Sequence, residues 1–208
     1  MPFSFFKIAV PASGLGMVGT AGLLNFYLKD QAVVEGKYRF RDIFSPALLG
    51  PSEDALWNSK LSKLKASSVH GVNEKLSKAK SYADQNNGKS LLQDACNSIY
   101  GMEFFGKDSD EYKNFKDFCS RNNKDKLPSD KFIGDDDGSL SKQAKDIFGS
   151  SGSFSNSFKE EVKDKITDNN ATQDHKNAIK DWCSKYGDEP YMQDWISTDF
   201  DIYCRKKD

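Results

Sequence analysis

The chain is poor in the residues that most often do chemistry. Histidine occurs twice, at His70 and His175, and only four of the 30 basic residues are arginine: Arg39, Arg41, Arg121 and Arg205. There is no Cys-x-x-Cys and no close His/Cys cluster, so a zinc site would have to gather its ligands from distant segments. No serine or cysteine lies in a recognisable nucleophile motif that His175 could serve, and His175 itself falls on an apolar face ahead of Ile179 and Trp182, where a core or cap histidine is the simpler reading. The sequence therefore points to no enzyme, with no catalytic, cofactor-binding or metal-ligating residue and no cofactor. Net charge is missing too: 30 basic side chains against 31 acidic ones leave no field to draw in nucleic acid or anionic lipid. Runs that alternate with period two are almost absent, which argues against a sheet.

What is present is a folded-protein composition, with 12% aromatic residues against 29% charged, and one long apolar run. Residues 8–28, IAVPASGLGMVGTAGLLNFYL, carry no charge over a length that spans about 30 Å as a helix, the hydrocarbon thickness of a bilayer. An uncleaved single-pass anchor is the preferred reading. A signal peptide cut near Gly19-Thr20-Ala21 competes with it, but the apolar LLNFYL would then continue past the cut; a buried soluble helix is the third reading. Lipidation after the run is excluded, because the first cysteine is Cys96. Ala12, Gly16 and Thr20 form a small-xxx-small row, for which glycine drift in a weakly selected anchor is the preferred account. The flanking charges, Lys7 before the run and Lys29, Lys37, Arg39 and Arg41 after it, favour a cytoplasmic C-terminal part by the positive-inside rule.

Residues 1–29 are accordingly read as the anchor, 30–51 as a stalk or linker, with VVEGKYRFRDIF short and β-prone before Ser45-Pro46 and Gly50-Pro51, and 52–208 as the soluble domain. Helical spacing then recurs: Trp57, Leu61 and Leu64, continued by Val72, Leu76 and Ala79; Leu92, Ala95, Cys96, Ile99 and Met102; Tyr112, Phe115, Phe118 and Cys119, capped by Asp108 or Ser109. After a loop over 121–138 come Leu140, Ala144, Ile147 and Phe148; Phe154, Phe158, Val162 and Ile166; His175, Ile179, Trp182, Cys183 and Tyr186; and Trp195, Ile196, Phe200 and Tyr203. The fold expected is all-α, a bundle of about six to eight short helices preceded by a single N-terminal transmembrane helix. Lys116-Asp-Phe-Cys-Ser120 and Lys180-Asp-Trp-Cys-Ser184 match in four of five positions, and Asp94-Ala-Cys96 shares the Asp-x-Cys core, so two related units, 52–138 and 139–208, are conceivable.

The four cysteines, Cys96, Cys119, Cys183 and Cys204, are the most informative residues. They allow three pairings, and each sits on an expected inner face, where free thiols also reside as small hydrophobes. Disulfides are the preferred reading for an oxidising exterior; local pairs Cys96–Cys119 and Cys183–Cys204 would then staple two hairpins. Gly134-Asp-Asp-Asp-Gly138 resembles a calcium loop, but with Gly138 at the sixth position the first and twelfth are Ile133 and Ala144, so the required acidic ligands are missing and a solvated acidic turn is expected. Asn170-Ala-Thr172 is a formal glycosylation acceptor. Lys-rich stretches such as Lys60 to Lys65 are read as solvated helix faces.

The Gly/Ala-rich N-terminal span without a lipobox, a body rich in Lys, Asp and Ser, and the recurring aromatic-Cys pairs Phe118-Cys119, Trp182-Cys183 and Tyr203-Cys204 resemble the large paralogous families of uncharacterised, presumed surface proteins of haemotropic mycoplasmas. The resemblance carries over no functional residue. It implies a cell-membrane protein with its soluble domain extracellular, surface-displayed and non-enzymatic, in host interaction or antigenic variation, with a protein partner such as the host cell surface. The alternative is a cytoplasm-facing, membrane-attached adaptor binding through Tyr38, Phe40 or Trp195. Oligomeric state is not legible.

Overall fold

The structure, a computed structural model, describes residues 38–207. The anchor read over 8–28, its flanking Lys7, Lys29 and Lys37, and residues 30–37 of the stalk lie outside the described residues. Among the described residues there are nine α-helices and no strand, only four isolated β-bridges, and no helix long and apolar enough to cross a membrane. The body is all-α.

From Tyr38 onward the chain is not a stalk. Helix α1 (Phe40–Ile43) and a 3-10 turn (Ser45–Ala47) bury Phe40, Phe44 and Ala47. Phe40 and Phe44 are one helical turn apart, so both rings face inward, where they pack on Phe104 and Phe115 at centroid distances of 5.1–5.5 Å. Backbone bonds from Phe40 N to Met102 O (3.1 Å) and from Phe104 N to Tyr38 O (2.9 Å) fix the entry. One turn is too short to show a helical period, and its aromatic content reads as strand.

Helices α2 (Asp54–Ala66) and α3 (Glu74–Ser81) follow as two separate helices. Trp57, Leu61 and Leu64 of α2 face the core, as do Leu76 and Ala79 of α3, but Val72 lies in the connection and is 98% exposed. Helix α4 (Gln85–Tyr100) buries Leu92, Ala95, Cys96 and Ile99; Met102 lies beyond its end, exposed. Helix α5 (Asp110–Asn114) starts at Ser109, whose side chain accepts a hydrogen bond from Tyr112 N, and runs into a wide π-helical turn (Phe115–Cys119) that points Phe115, Phe118 and Cys119 inward. Residues 121–138 hold two 3-10 turns (Asn123–Lys126 and Ser129–Lys131). Then come α6 (Asp137–Gly149), α7 (Asn156–Glu161), α8 (Gln173–Gly187) and α9 (Trp195–Tyr203).

The buried side chains form two clusters. One runs from Phe40 to Cys119 and the other from Leu127 to Cys204. Each is organised around aromatic rings, whose full burial is worth about 2–3 kcal/mol apiece before packing is counted: Phe40, Phe44, Tyr112 and Phe115 in the first, Phe158, Trp182 and Phe200 in the second.

The two clusters are built by the same series of elements. A short 3-10 turn precedes a 13-residue helix that buries Trp57, Lys60, Leu61 and Leu64 in the first series and, besides Ser139, the matching Leu140, Gln143, Ala144 and Ile147 in the second. A short helix follows, α3 or α7, and then a long one, α4 or α8, carrying Asp-x-Cys at Asp94–Cys96 or Asp181–Cys183. The last element carries Phe-x-x-aromatic-Cys at Phe115–Cys119 or Phe200–Cys204. The chain beyond that cysteine returns to the start of its own series: Ser120 bridges Leu48 with Arg121 N donating to Ala47 O, and Arg205 bridges Phe132 with Lys206 N donating to Lys131 O. The structural register of the repeat therefore differs from the best sequence match. Lys116–Ser120 corresponds to Asp201–Arg205, and Lys180–Ser184 corresponds to Gln93–Asn97.

Candidate functional site

The cysteines stand where the two series close. Cys96 is joined to Cys119 and Cys183 to Cys204, with S–S distances of 1.96 and 2.00 Å and Cα–Cα distances of 5.2 and 5.5 Å. All four are fully buried. Each bond ties the last third of a long helix to the end of the last element of the same series. The surroundings also match: Cys96 Sγ lies 3.7 Å from Phe118 O, and Cys183 Sγ lies 4.0 Å from Tyr203 O.

Between the series lies a polar junction, within the stretch 121–138 that the sequence reading takes for loop. Asn122 and Asn123 are buried. Asn122 Nδ2 donates to Lys116 O, Ser120 Oγ and Asp188 O at 3.1, 3.2 and 2.6 Å. Asn123 N donates to Glu189 O (3.0 Å), Asn123 Nδ2 donates to Tyr186 O (2.9 Å), and Asn123 Oδ1 accepts from Ser197 Oγ (2.8 Å). Two adjacent asparagines thus stitch the end of the first series to α8 and α9. Arg121 adds a pair with Glu53 at 2.5 Å and a bond to Pro46 O. Glu189 accepts from the Tyr112 hydroxyl at 2.9 Å, and burial together with that carboxylate pushes the Tyr112 phenol far above its usual range.

Lys60 belongs to this junction, not to the solvated face expected for Lys60 to Lys65. It is 3% exposed, and its Nζ donates to Asn122 Oδ1 and, at 2.7 Å, to Asp125 Oδ2. The signal was present in the spacing, since Trp57, Lys60, Leu61 and Leu64 fall at i, i+3, i+4 and i+7 on one apolar stripe. Lys65 is solvated, and Lys63 pairs with Asp117 at 2.9 Å. Burial lowers the Lys60 pKa, and the neighbouring Asp125 offsets part of that shift.

A groove of 740 Å³ is lined in part by Asn123 of the junction and by Lys126, Tyr191, Gln193, Ile202 and Arg205. Gln193 holds a φ of 56°, in the left-handed region. Of the aromatics considered for partner contact, Trp195 is 62% exposed and Tyr38 is exposed, whereas Phe40 is buried and unavailable.

The remaining motifs take ordinary structural places. His175 is buried in the first turn of α8, its Nδ1 donating to Asn170 O at 2.7 Å. His70 Nε2 meets Asp117 Oδ2 at 2.8 Å. In the acidic turn, Asp136 caps α6 through Ser139 N (2.8 Å), and Asp137 and Asp135 pair with Lys176 and Lys180 of α8. Thr172 of the glycosylation acceptor caps α8 through His175 N. Among the described residues no group of three or more His, Cys, Asp or Glu side chains is placed to hold a metal ion. No protein-family model, curated protein or solved structure matches the chain.

Proposed function

We propose that this chain is a membrane-anchored, non-enzymatic helical protein that displays its disulfide-stapled body outside the cell, for host interaction or antigenic variation. The observation that carries the reading is the pair of buried disulfides, one closing each series, because such bonds persist in oxidising compartments and are rare in the cytoplasm. The uncharged run at 8–28 supplies the tether. The resemblance to presumed surface proteins supplies the host context. A membrane and a protein partner are the contacts this reading requires.

The competing reading, a cytoplasm-facing adaptor, draws on the basic flank Lys29 to Arg41 and on the exposed Trp195. Protease treatment of intact cells separates the two. Surface display predicts cleavage within 38–207 without lysis and a protein that gains four thiols only on reduction. Protection until lysis, together with four free thiols in freshly isolated protein, would replace it with the adaptor.

A further inference from the structure

Lys60, Asn122 and Asp125 form a closed set of three. Lys60 is presented by α2 on the stripe of Trp57 and Leu64, and its Nζ reaches both the Asn122 side-chain carbonyl and the Asp125 carboxylate. Asn122 is 0% exposed and is held three residues beyond the Cys119 disulfide. Asp125, in the turn Asn123–Lys126, accepts from Lys60 Nζ at 2.7 Å and from Asn122 N at 2.8 Å through the same oxygen. An amine and a carboxamide are thus fixed together away from bulk water, beside a half-buried carboxylate that touches the residues bearing both.

The second series shows what the structural role alone requires. At the position of Lys60 it has Gln143, whose neutral Nε2 donates to Ile202 O and Arg205 O at 3.2 and 3.1 Å and so holds the chain beyond Cys204. A neutral amide is sufficient there. The buried amine of the first series and its half-buried carboxylate partner exceed that requirement.

We propose that Lys60 and Asn122 join in an intramolecular isopeptide bond, with Asp125 carrying the proton. The neutral amine Nζ adds to Cγ of Asn122. Asp125 takes the proton released by the attacking nitrogen and returns it to Nδ2. The Cγ–Nδ2 bond breaks, ammonia leaves, and a secondary amide remains. The exchange is redox-neutral and needs no other reactant: one amine and one primary amide become one secondary amide and one ammonia. Lys116 O, Ser120 Oγ and Asp188 O hold Nδ2, so the leaving nitrogen is positioned on acceptors. Burial of the lysine favours the nucleophilic, uncharged form. The product would tie α2 to the junction across 62 residues of chain with a bond that reductants leave intact. The inference does not depend on the membrane reading.

The test is peptide mapping of the purified full-length chain after denaturation and reduction. Trypsin is expected to release residues 42–63, uncut after Lys60, joined to residues 122–124 and lighter than the sum of the two by one ammonia. Recovery of 42–60 and 122–124 as separate peptides at their sequence masses overturns the proposal, as does an ammonia loss that maps elsewhere, for instance to Asn87-Gly88. Asp125→Ala is expected to yield the separate peptides while keeping both disulfides; if that variant does not fold, Asp125→Asn is read in its place. Full linkage in a folded variant overturns the role given to Asp125.

Discussion

Gln143 occupies in the second series the place that Lys60 occupies in the first, three residues after the first buried apolar side chain of its helix. Its Nε2 is shared between Ile202 O and Arg205 O, the carbonyls that flank the second disulfide. Gln143→Leu keeps the volume and removes the donor from two carbonyls. A cost of about 2 kcal/mol is expected, read as a lower urea midpoint with unchanged slope. An unchanged midpoint would show that other donors replace it.

The disulfides close chain segments of 23 and 21 residues. In the chain-entropy account each loop of that size contributes about 3 kcal/mol by restricting the unfolded state. Paired alanine variants, Cys96→Ala with Cys119→Ala and Cys183→Ala with Cys204→Ala, are therefore expected to lose similar amounts of stability, and their effects to add. A loss confined to one pair would mean that the other bond is not formed in the native protein.

Asp199 and Asn114 stand at equivalent positions, five residues before Cys204 and Cys119, and both hold the segment leading into a short helix. Asp199 Oδ2 accepts from Ser155 N at 2.7 Å; Asn114 accepts from His70 N and donates to His70 O. Burial raises the Asp199 pKa, and its bonds to Ser155 only partly oppose the shift. With the folded-state pKa above that of the unfolded chain, the native state binds the proton more tightly, so this stability is present at low pH. It is lost as pH rises from about 4, the ordinary aspartate value, through the raised one. Asp199→Asn is expected to be more stable than the parent at neutral pH, the difference closing on acidification. A variant less stable at every pH would show that the charge itself is needed. Asp117 has the opposite sign: burial raises its pKa, but bonds from Lys63 and His70 outweigh that and lower it, so its contribution is present above the ordinary value and lost as pH falls through the lowered one.

The long helices were legible because their apolar residues recur at helical spacing over three turns or more, as in Leu92, Ala95, Cys96 and Ile99. Short elements were not. Phe40 and Phe44 span a single turn, and their aromatic, β-branched surroundings resemble strand. Val72 continues a period on paper, yet α2 ends at Ala66, where Ser67 turns extended at a φ of −114° and a ψ of 172°, and Val72 falls in the connection. The repeat was visible but misregistered, because identical letters at Lys116–Ser120 and Lys180–Ser184 outweigh the weaker pattern of buried positions that the fold repeats. Asn122 and Asn123 signal a turn in any sequence; that they are buried and bonded to both series depends on contacts tens of residues away. The anchor segment lies outside the described residues.

Gly187, in the last turn of α8, meets Phe200 of α9. A Cβ there would lie 3.3 Å from two carbons of the ring and 3.6 Å from Lys124 Cβ. Alanine is the better helix former by about 1 kcal/mol, so Gly187→Ala would stabilise if the ring could yield. Phe200 is buried, packed on Phe132 and close to Trp182, and has little room. A net loss of about 1 kcal/mol is expected, measured by thermal unfolding; a gain would show that α9 shifts easily against α8.

Phe40 decides whether the folded body begins before Ser52. Its ring is 0% exposed and lies 5.1 Å from Phe115, the aromatic four residues before Cys119. Phe40→Ala removes a buried ring from the centre of the first cluster, and a cost of about 3–5 kcal/mol is expected. A chain starting at Ser52 loses Phe44 and Ala47 as well, together with the carbonyl of Ala47 that receives Arg121 N at 2.7 Å. It is expected to leave the first series unfolded or molten, with Trp57 exposed to quencher, while Trp182 of the second series stays protected. Cooperative unfolding of that truncated chain at the parent's midpoint would return residues 38–51 to the role of a linker.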